Sequence, residues 1–81
     1  MRVTIRLFGR LRELAGAPVL EREVAAQATA ASVWQLLAAD APAVAPYARS
    51  VSVAVNADFA KMTTALEDGD EVAFLPPVSG G

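Results

Sequence analysis

An α+β fold, with one helix laid on one face of a small mixed sheet, follows from three features of the 81-residue chain. Two clean period-two alternations lie near its start and middle, a single helical stretch with a marked start lies between them, and a third alternation follows an acidic glycine turn near the end.

The first alternation covers residues 2–8: Val3, Ile5 and Leu7 point one way, and Arg2, Thr4, Arg6 and Phe8 the other. This is the pattern of a half-buried strand, and it leaves Phe8 as an aromatic on the polar side. Gly9 breaks the strand, and Arg10 to Ala15 form a short helical turn closed by Gly16. Residues 19–25 alternate less cleanly but fit the second arm of a hairpin after Gly16-Ala17-Pro18. Ser32, with Gln35 three residues on, has the spacing of a capping box and so marks a helix start. Val33, Leu36 and Leu37 then share one face, with Trp34 at its edge as a partly buried residue. Asp40 and Pro42 stop the helix, and residues 42–49 read as a connecting segment. Val51, Val53 and Val55 alternate with Ser52, Ala54 and Asn56 as a further strand, followed by a polar turn and a brief strand carrying Phe59 and Met62. Glu67-Asp68-Gly69-Asp70 is a turn in which Gly69 is free to take positive φ. Its carboxylates, with Glu71, are explained by turn chemistry and solubility better than by a metal site, which would need more ligands. The last strand, Glu71 to Leu75, points Val72 and Phe74 inward and Ala73 and Leu75 outward. The element order is β, β, α, β, short β, β.

Composition removes several classes of function. A chain of this length has room for a single core and buries only somewhat over 60% of its unfolded surface, by the usual scaling. Hydrophobic residues make up 54% of it, much of that alanine, and no run approaches the ~18 apolar residues that span a bilayer. The N-terminal residues alternate at once, unlike a secretory signal, so the expected location is the cytoplasm. Cysteine and histidine are both absent, which excludes a thiolate nucleophile, a disulfide framework, an imidazole base and an ordinary zinc site. A net charge of −2 and a pI near 4.9 argue against a nucleic-acid groove.

The functional signal is at the carboxyl end. Pro76 and Pro77 each fix φ and lack an N–H, so they end any β-ladder at Leu75 and bias the next residues toward extended chain. Val78, Ser79, Gly80 and Gly81 come next. Glycine lacks Cβ and passes through channels that reject every other residue. The six residues from Pro76, extended at about 3.3–3.6 Å each, reach roughly 20 Å. The division expected is thus a globular domain over 1–75 and an extended arm over 76–81 that threads a carboxylate into another protein. A carboxylate is a poor acyl donor until it is given a leaving group, and the chain has neither a phosphate-cradling loop nor a catalytic base, so activation must come from a partner.

The run from Leu66-Glu67-Asp68-Gly69-Asp70 through Phe74-Leu75-Pro76-Pro77-Val78-Ser79-Gly80-Gly81 resembles the carboxyl end of the small subunit of molybdopterin synthase, the MoaD family. Leu11-Arg12-Glu13-Leu14-Ala15-Gly16 and Ala54-Val55-Asn56 match it too, so the resemblance spans the chain. It implies a β-grasp, or ubiquitin-like, fold with a mixed sheet of about four to five strands and one main helix. It also implies a non-catalytic sulfur carrier for molybdenum cofactor biosynthesis. An adenylyltransferase related to ubiquitin-activating enzymes uses ATP on Gly81, a sulfur donor system converts the acyl-adenylate to a thiocarboxylate, and the loaded tail enters the large synthase subunit. No cofactor is bound by the carrier itself. By the same resemblance Gly81 carries the sulfur, Pro76 to Gly80 thread, and Phe8, Phe59 and Leu75 contribute to the partner interface. Phe59 is equally compatible with capping the core. Arg12 and Lys61 are candidates for salt bridges to a partner. Three alternatives stay open: carriage of sulfur for thiamine, cysteine or thiolated tRNA; ubiquitin-like modification of lysines; and an interaction domain with an inert tail.

Overall fold

The computed structural model describes residues 1–77. Five strands form one sheet: β1 Arg2–Leu7, β2 Val19–Glu23, β3 Ser52–Val55, β4 Asp58–Ala60 and β5 Glu71–Leu75. Their spatial order is β2-β1-β5-β3-β4. Only β1 and β5 run parallel, with Ile5 opposite Val72 and Leu7 opposite Phe74, and every other pairing is antiparallel. One face of this sheet is covered by α2, Ala30–Asp40, and this is the β-grasp arrangement. A shorter helix, α1, Gly9–Ala15, is built into the β1–β2 connection, and Gly16 closes it at φ 80°.

Inward alternation builds the core. Val3, Ile5, Val72 and Phe74 are at most 1% exposed, and they meet Ala30, Val33 and Leu37 of α2. Trp34 belongs to this core instead of its edge: it is 6% exposed, and its ring meets Phe74 edge-on with centroids 5.1 Å apart. Leu36, expected on the buried face, is 41% exposed. The helix is rotated from the expected stripe because the large indole takes the central position over Phe74 and turns its neighbour Leu36 outward.

The helix also begins earlier than Ser32. Thr29 is the N-cap, and Ser32 is the third helical residue of the capping box: the Ser32 N–H donates to Thr29 Oγ1 at 3.3 Å, and the Thr29 N–H donates to Ser32 Oγ at 3.1 Å. Serine reads as a cap in sequence, but it serves here as the reciprocal acceptor. The segment after α2 is not irregular, since Pro42–Tyr47 forms a 3₁₀ helix that buries Val44 completely. In the β3–β4 hairpin Val51 precedes the paired strand and Met62 lies beyond it. Its two-residue turn, Asn56-Ala57, holds φ of 51° and 73°, the type I′ conformation that matches the twist of the flanking strands. Gly69 takes φ 87° in the acidic turn. There the Asp68 carboxylate accepts from the Arg2 N–H, and that of Asp70 accepts from the Glu67 N–H and the Asn56 amide, each at 2.8–2.9 Å. No helix among the described residues is long and apolar enough to cross a membrane.

Candidate functional site

The register brings one end of four strands together where the chain leaves the sheet. Parallel pairing sets the end of β1 beside the end of β5, and Ser52 at the start of β3 is opposite Leu75. Val53 opposite Ala60 puts the end of β4 at the same margin. Because side chains alternate across a strand, the outer face here carries Leu75, then Ser52, then Lys61 just past Ala60, with Phe8 just past Leu7 on the other side. One step down the sheet come Arg6, Ala73, Ala54 and Phe59, which are consecutive cross-strand partners.

Their exposure is uneven. Phe59 is 83% exposed on the edge strand, so it does not cap the core, and Phe8 is 43% exposed. Leu75, expected on the solvent side, is half-buried, because it is flanked on a central strand instead of standing at an edge. Ala54 and Ala73, between Phe59 and Arg6, are small, and Ala54 is buried. Arg6 is tied to Glu71 at 3.6 Å.

The root of the arm has its own seat. β5 ends at Leu75, directly before the proline pair. Pro76 Cγ lies 3.1 Å from where a Cβ on Gly9 would be, and Gly9 holds φ 53°. A side chain at position 9 would both strain the backbone and displace the proline ring. Phe8, immediately before, is the extended N-cap residue of α1, and its carbonyl accepts from Leu11 N–H at 3.1 Å. Phe8, Gly9, Leu75 and Pro76 therefore form one junction. Arg12 is exposed on α1 in a shallow hollow with Pro18, and Lys61 is exposed at the far side of the same margin. Val78, Ser79, Gly80 and Gly81 lie outside the described residues.

Sequence reasoning missed Gly9 as a seat, and the only signal was an isolated glycine between Phe8 and a helix. It also missed Arg6 and Val19, the latter 43% exposed beside Arg6 on the same face. Among the described residues no three His, Cys, Asp or Glu side chains are grouped to hold a metal ion, and no buried side-chain polar atom lacks a partner. Among the described residues the candidate site is an exposed surface beside the point at which the chain leaves the sheet.

The ThiS family model matches residues 5–81. A molybdopterin synthase sulfur carrier subunit of Escherichia coli is 39% identical over 98% of this chain and 99% of its own. That of Mycobacterium tuberculosis is 35% identical over 100% and 99%. The chain belongs to the ThiS family and, within it, to the molybdopterin synthase sulfur carrier subunits. As such it is the non-catalytic small subunit that carries sulfur in molybdenum cofactor biosynthesis. Among solved structures, SAMP1 from Haloferax volcanii superposes with a TM-score of 0.86 at 30% identity, covering 100% of both chains. A chain from the Helicobacter pylori complex of subunits 1 and 2 of molybdopterin-converting factor shares the fold, with a TM-score of 0.69 at 23% identity and 100% coverage of both.

Proposed function

We propose that Gly81 is the residue that bears the sulfur, on an arm, residues 76–81, that works apart from the body, residues 1–75. A Gly81 carboxylate oxygen attacks the α-phosphorus of ATP held by an adenylyltransferase of the ubiquitin-activating type, and pyrophosphate leaves. A sulfur nucleophile supplied by a donor system then attacks the glycyl carbonyl and AMP leaves, so one oxygen has been exchanged for sulfur. The arm next enters the large synthase subunit; the Helicobacter pylori chain of the same fold is found in a complex of subunits 1 and 2 of molybdopterin-converting factor. There the thiocarboxylate sulfur attacks a carbon of the pterin precursor and displaces an oxygen leaving group, and water then cleaves the resulting acyl–sulfur bond, leaving the sulfur on the pterin and restoring the carboxylate. The carrier binds no cofactor of its own, ATP being consumed by the partner, and the cycle runs in the cytoplasm. Phe8, Phe59 and Leu75 supply apolar contact to the large subunit, with Arg12 and Lys61 as charged neighbours, and Pro76 to Gly80 as the threading segment.

The observation that supports this reading is the end-to-end identity with sulfur carrier subunits, joined to a chain that leaves its sheet at Leu75 beside an exposed apolar face. Its test is the intact mass after incubation with the activating enzyme, ATP and a sulfur donor. The full chain should exchange oxygen for sulfur, while a Gly81 deletion of unchanged fold should not. Sulfur on the deletion variant would refute the assignment.

A second reading is favoured by the likeness to SAMP1, a small archaeal modifier protein. The same activated Gly81 would then join lysines on other proteins. Isopeptide-linked ladders in cell extracts that vanish with the Gly81 deletion would establish it.

A further inference from the structure

The ion pairs leave a residue of charge that is sorted by position. Four of the seven cations are paired: Arg2 with Glu23, Arg6 with Glu71, Arg10 with Glu13 and Arg22 with Asp40. The Glu13 hydrogen bond and charge push the Arg10 pKa up from its usual value. Three cations, Arg12, Arg49 and Lys61, make no ion pair among the described residues, and all three are exposed. Five carboxylates are left in the same way: Glu21, Asp58, Glu67, Asp68 and Asp70. Three against five is the net −2 of the side chains, and the Met1 ammonium, bonded to the Val24 carbonyl at the start of β1, offsets one negative charge at the far end.

Topology places the two sets at opposite ends. Lys61 follows the end of β4, Arg49 precedes the start of β3, and Arg12 is on the helix that follows β1. Each of these is the end from which the arm leaves. Asp58 begins β4 and Glu67 to Asp70 precede β5, so four of the five carboxylates are at the far end, while Glu21, opposite Thr4, stands midway along β2. Strands of this length span about 17–20 Å, more than twice the Debye length of about 8 Å at physiological salt. An approaching macromolecule therefore responds to one end at a time. A collar of three cations on a chain of net negative charge is too weak for a polyanion such as nucleic acid. It suits a protein surface bearing a few carboxylates.

We propose that the carrier docks arm-first by electrostatic steering, and that the large subunit which receives the arm presents a rim of carboxylates around its entrance, facing Arg12, Arg49 and Lys61. This deepens the functional reading above and rests on it. The acidic far end is repelled by the same rim, so the charge pattern selects orientation before any apolar contact forms. Exposed charges act mainly on the encounter rate, and their effect fades with salt.

The test is stopped-flow association of the full chain with the dye-labelled large subunit between about 0.01 M and about 1 M salt, where the Debye length falls from about 30 Å to 3 Å. The wild-type rate should fall at least tenfold across that range. The triple variant Arg12→Glu/Arg49→Glu/Lys61→Glu should associate at least tenfold more slowly than wild type at low salt and converge with it at high salt. The milder Gln variants at the same positions carry the test if the reversed protein is misfolded by circular dichroism. Neutralising the far end with Asp58→Asn and Glu67→Gln should leave the rate unchanged or raise it. A rate indifferent to salt, a collar reversal that binds as fast as wild type, or a far-end neutralisation that slows binding as much would each overturn the proposal alone. Absence of any complex at every salt would remove the functional reading and the proposal with it.

Discussion

The two faces of the sheet are made from the same strands and share nothing else. Toward α2, Val3, Ile5, Leu7, Val72 and Phe74 are at most 2% exposed and mutually packed. One residue along in each case, the opposite face carries Arg6, Ala73 and Ala54, with Phe59 largely in solvent. Alternation therefore divides single strands: one parity of residues is buried and sets stability, and the other is left largely accessible, apart from Ala54 and half-buried Leu75.

This separation can be broken from either side. The largest effect is expected on the inner face, where Phe74→Ala removes the ring beneath Trp34 and should cost about 3–5 kcal/mol. In a domain whose total stability is on the order of 5–15 kcal/mol, urea titration should show the midpoint collapse. A loss below about 1 kcal/mol would mean that the inner face is not the main store of stability. On the outer face Phe59→Ala should leave the unfolding midpoint within about 0.5 kcal/mol of wild type. It should nonetheless weaken binding to the large subunit roughly 30-fold, the ~2 kcal/mol of a hot-spot aromatic, measured by calorimetry. Destabilisation by Phe59→Ala without loss of binding would invert the comparison. Half-buried Leu75 belongs partly to both sides, so Leu75→Ala should lower stability by about 1 kcal/mol and binding by a similar amount. The smallest effect is expected at the hairpin tip, which belongs to neither face. Ala57 holds φ 73°, and Ala57→Gly should raise the thermal midpoint by the equivalent of about 0.5–1 kcal/mol while leaving binding unchanged.

How much of the fold and the site was legible in the sequence depends on the range of the forces involved. Period-two alternation exposed β1, β3 and β5 and their inward residues, since each strand reports its own burial. Gly16 and Gly69 marked backbone turns that few other residues allow. Misreadings arose where a tertiary neighbour decides: Trp34 turned inward because Phe74 lies beneath it, and Val44 is buried because α2 and α1 leave a gap that a 3₁₀ turn fills. The order of the strands could not be read from pattern alone, since the pairing of β1 with β5 joins residues far apart in the chain, such as Ile5 and Val72. For the same reason the Gly9 seat for Pro76 was invisible, and so was the gathering of Arg12, Arg49 and Lys61 at one margin.

That pairing also governs when the protein becomes competent. β5 is central, yet it comes after every other strand in the chain and closes the largest loop of the sheet. Non-local pairing of this kind must meet its loop-closure entropy before its contacts form, which makes it intrinsically slow. Until β5 is inserted between β1 and β3, Pro76 is not on Gly9 and Leu75 is not beside Phe8, so an unfinished molecule lacks the junction at which the chain leaves the sheet. The contact of Pro76 with Gly9 is thereby a report that the last strand is in place and the sheet complete.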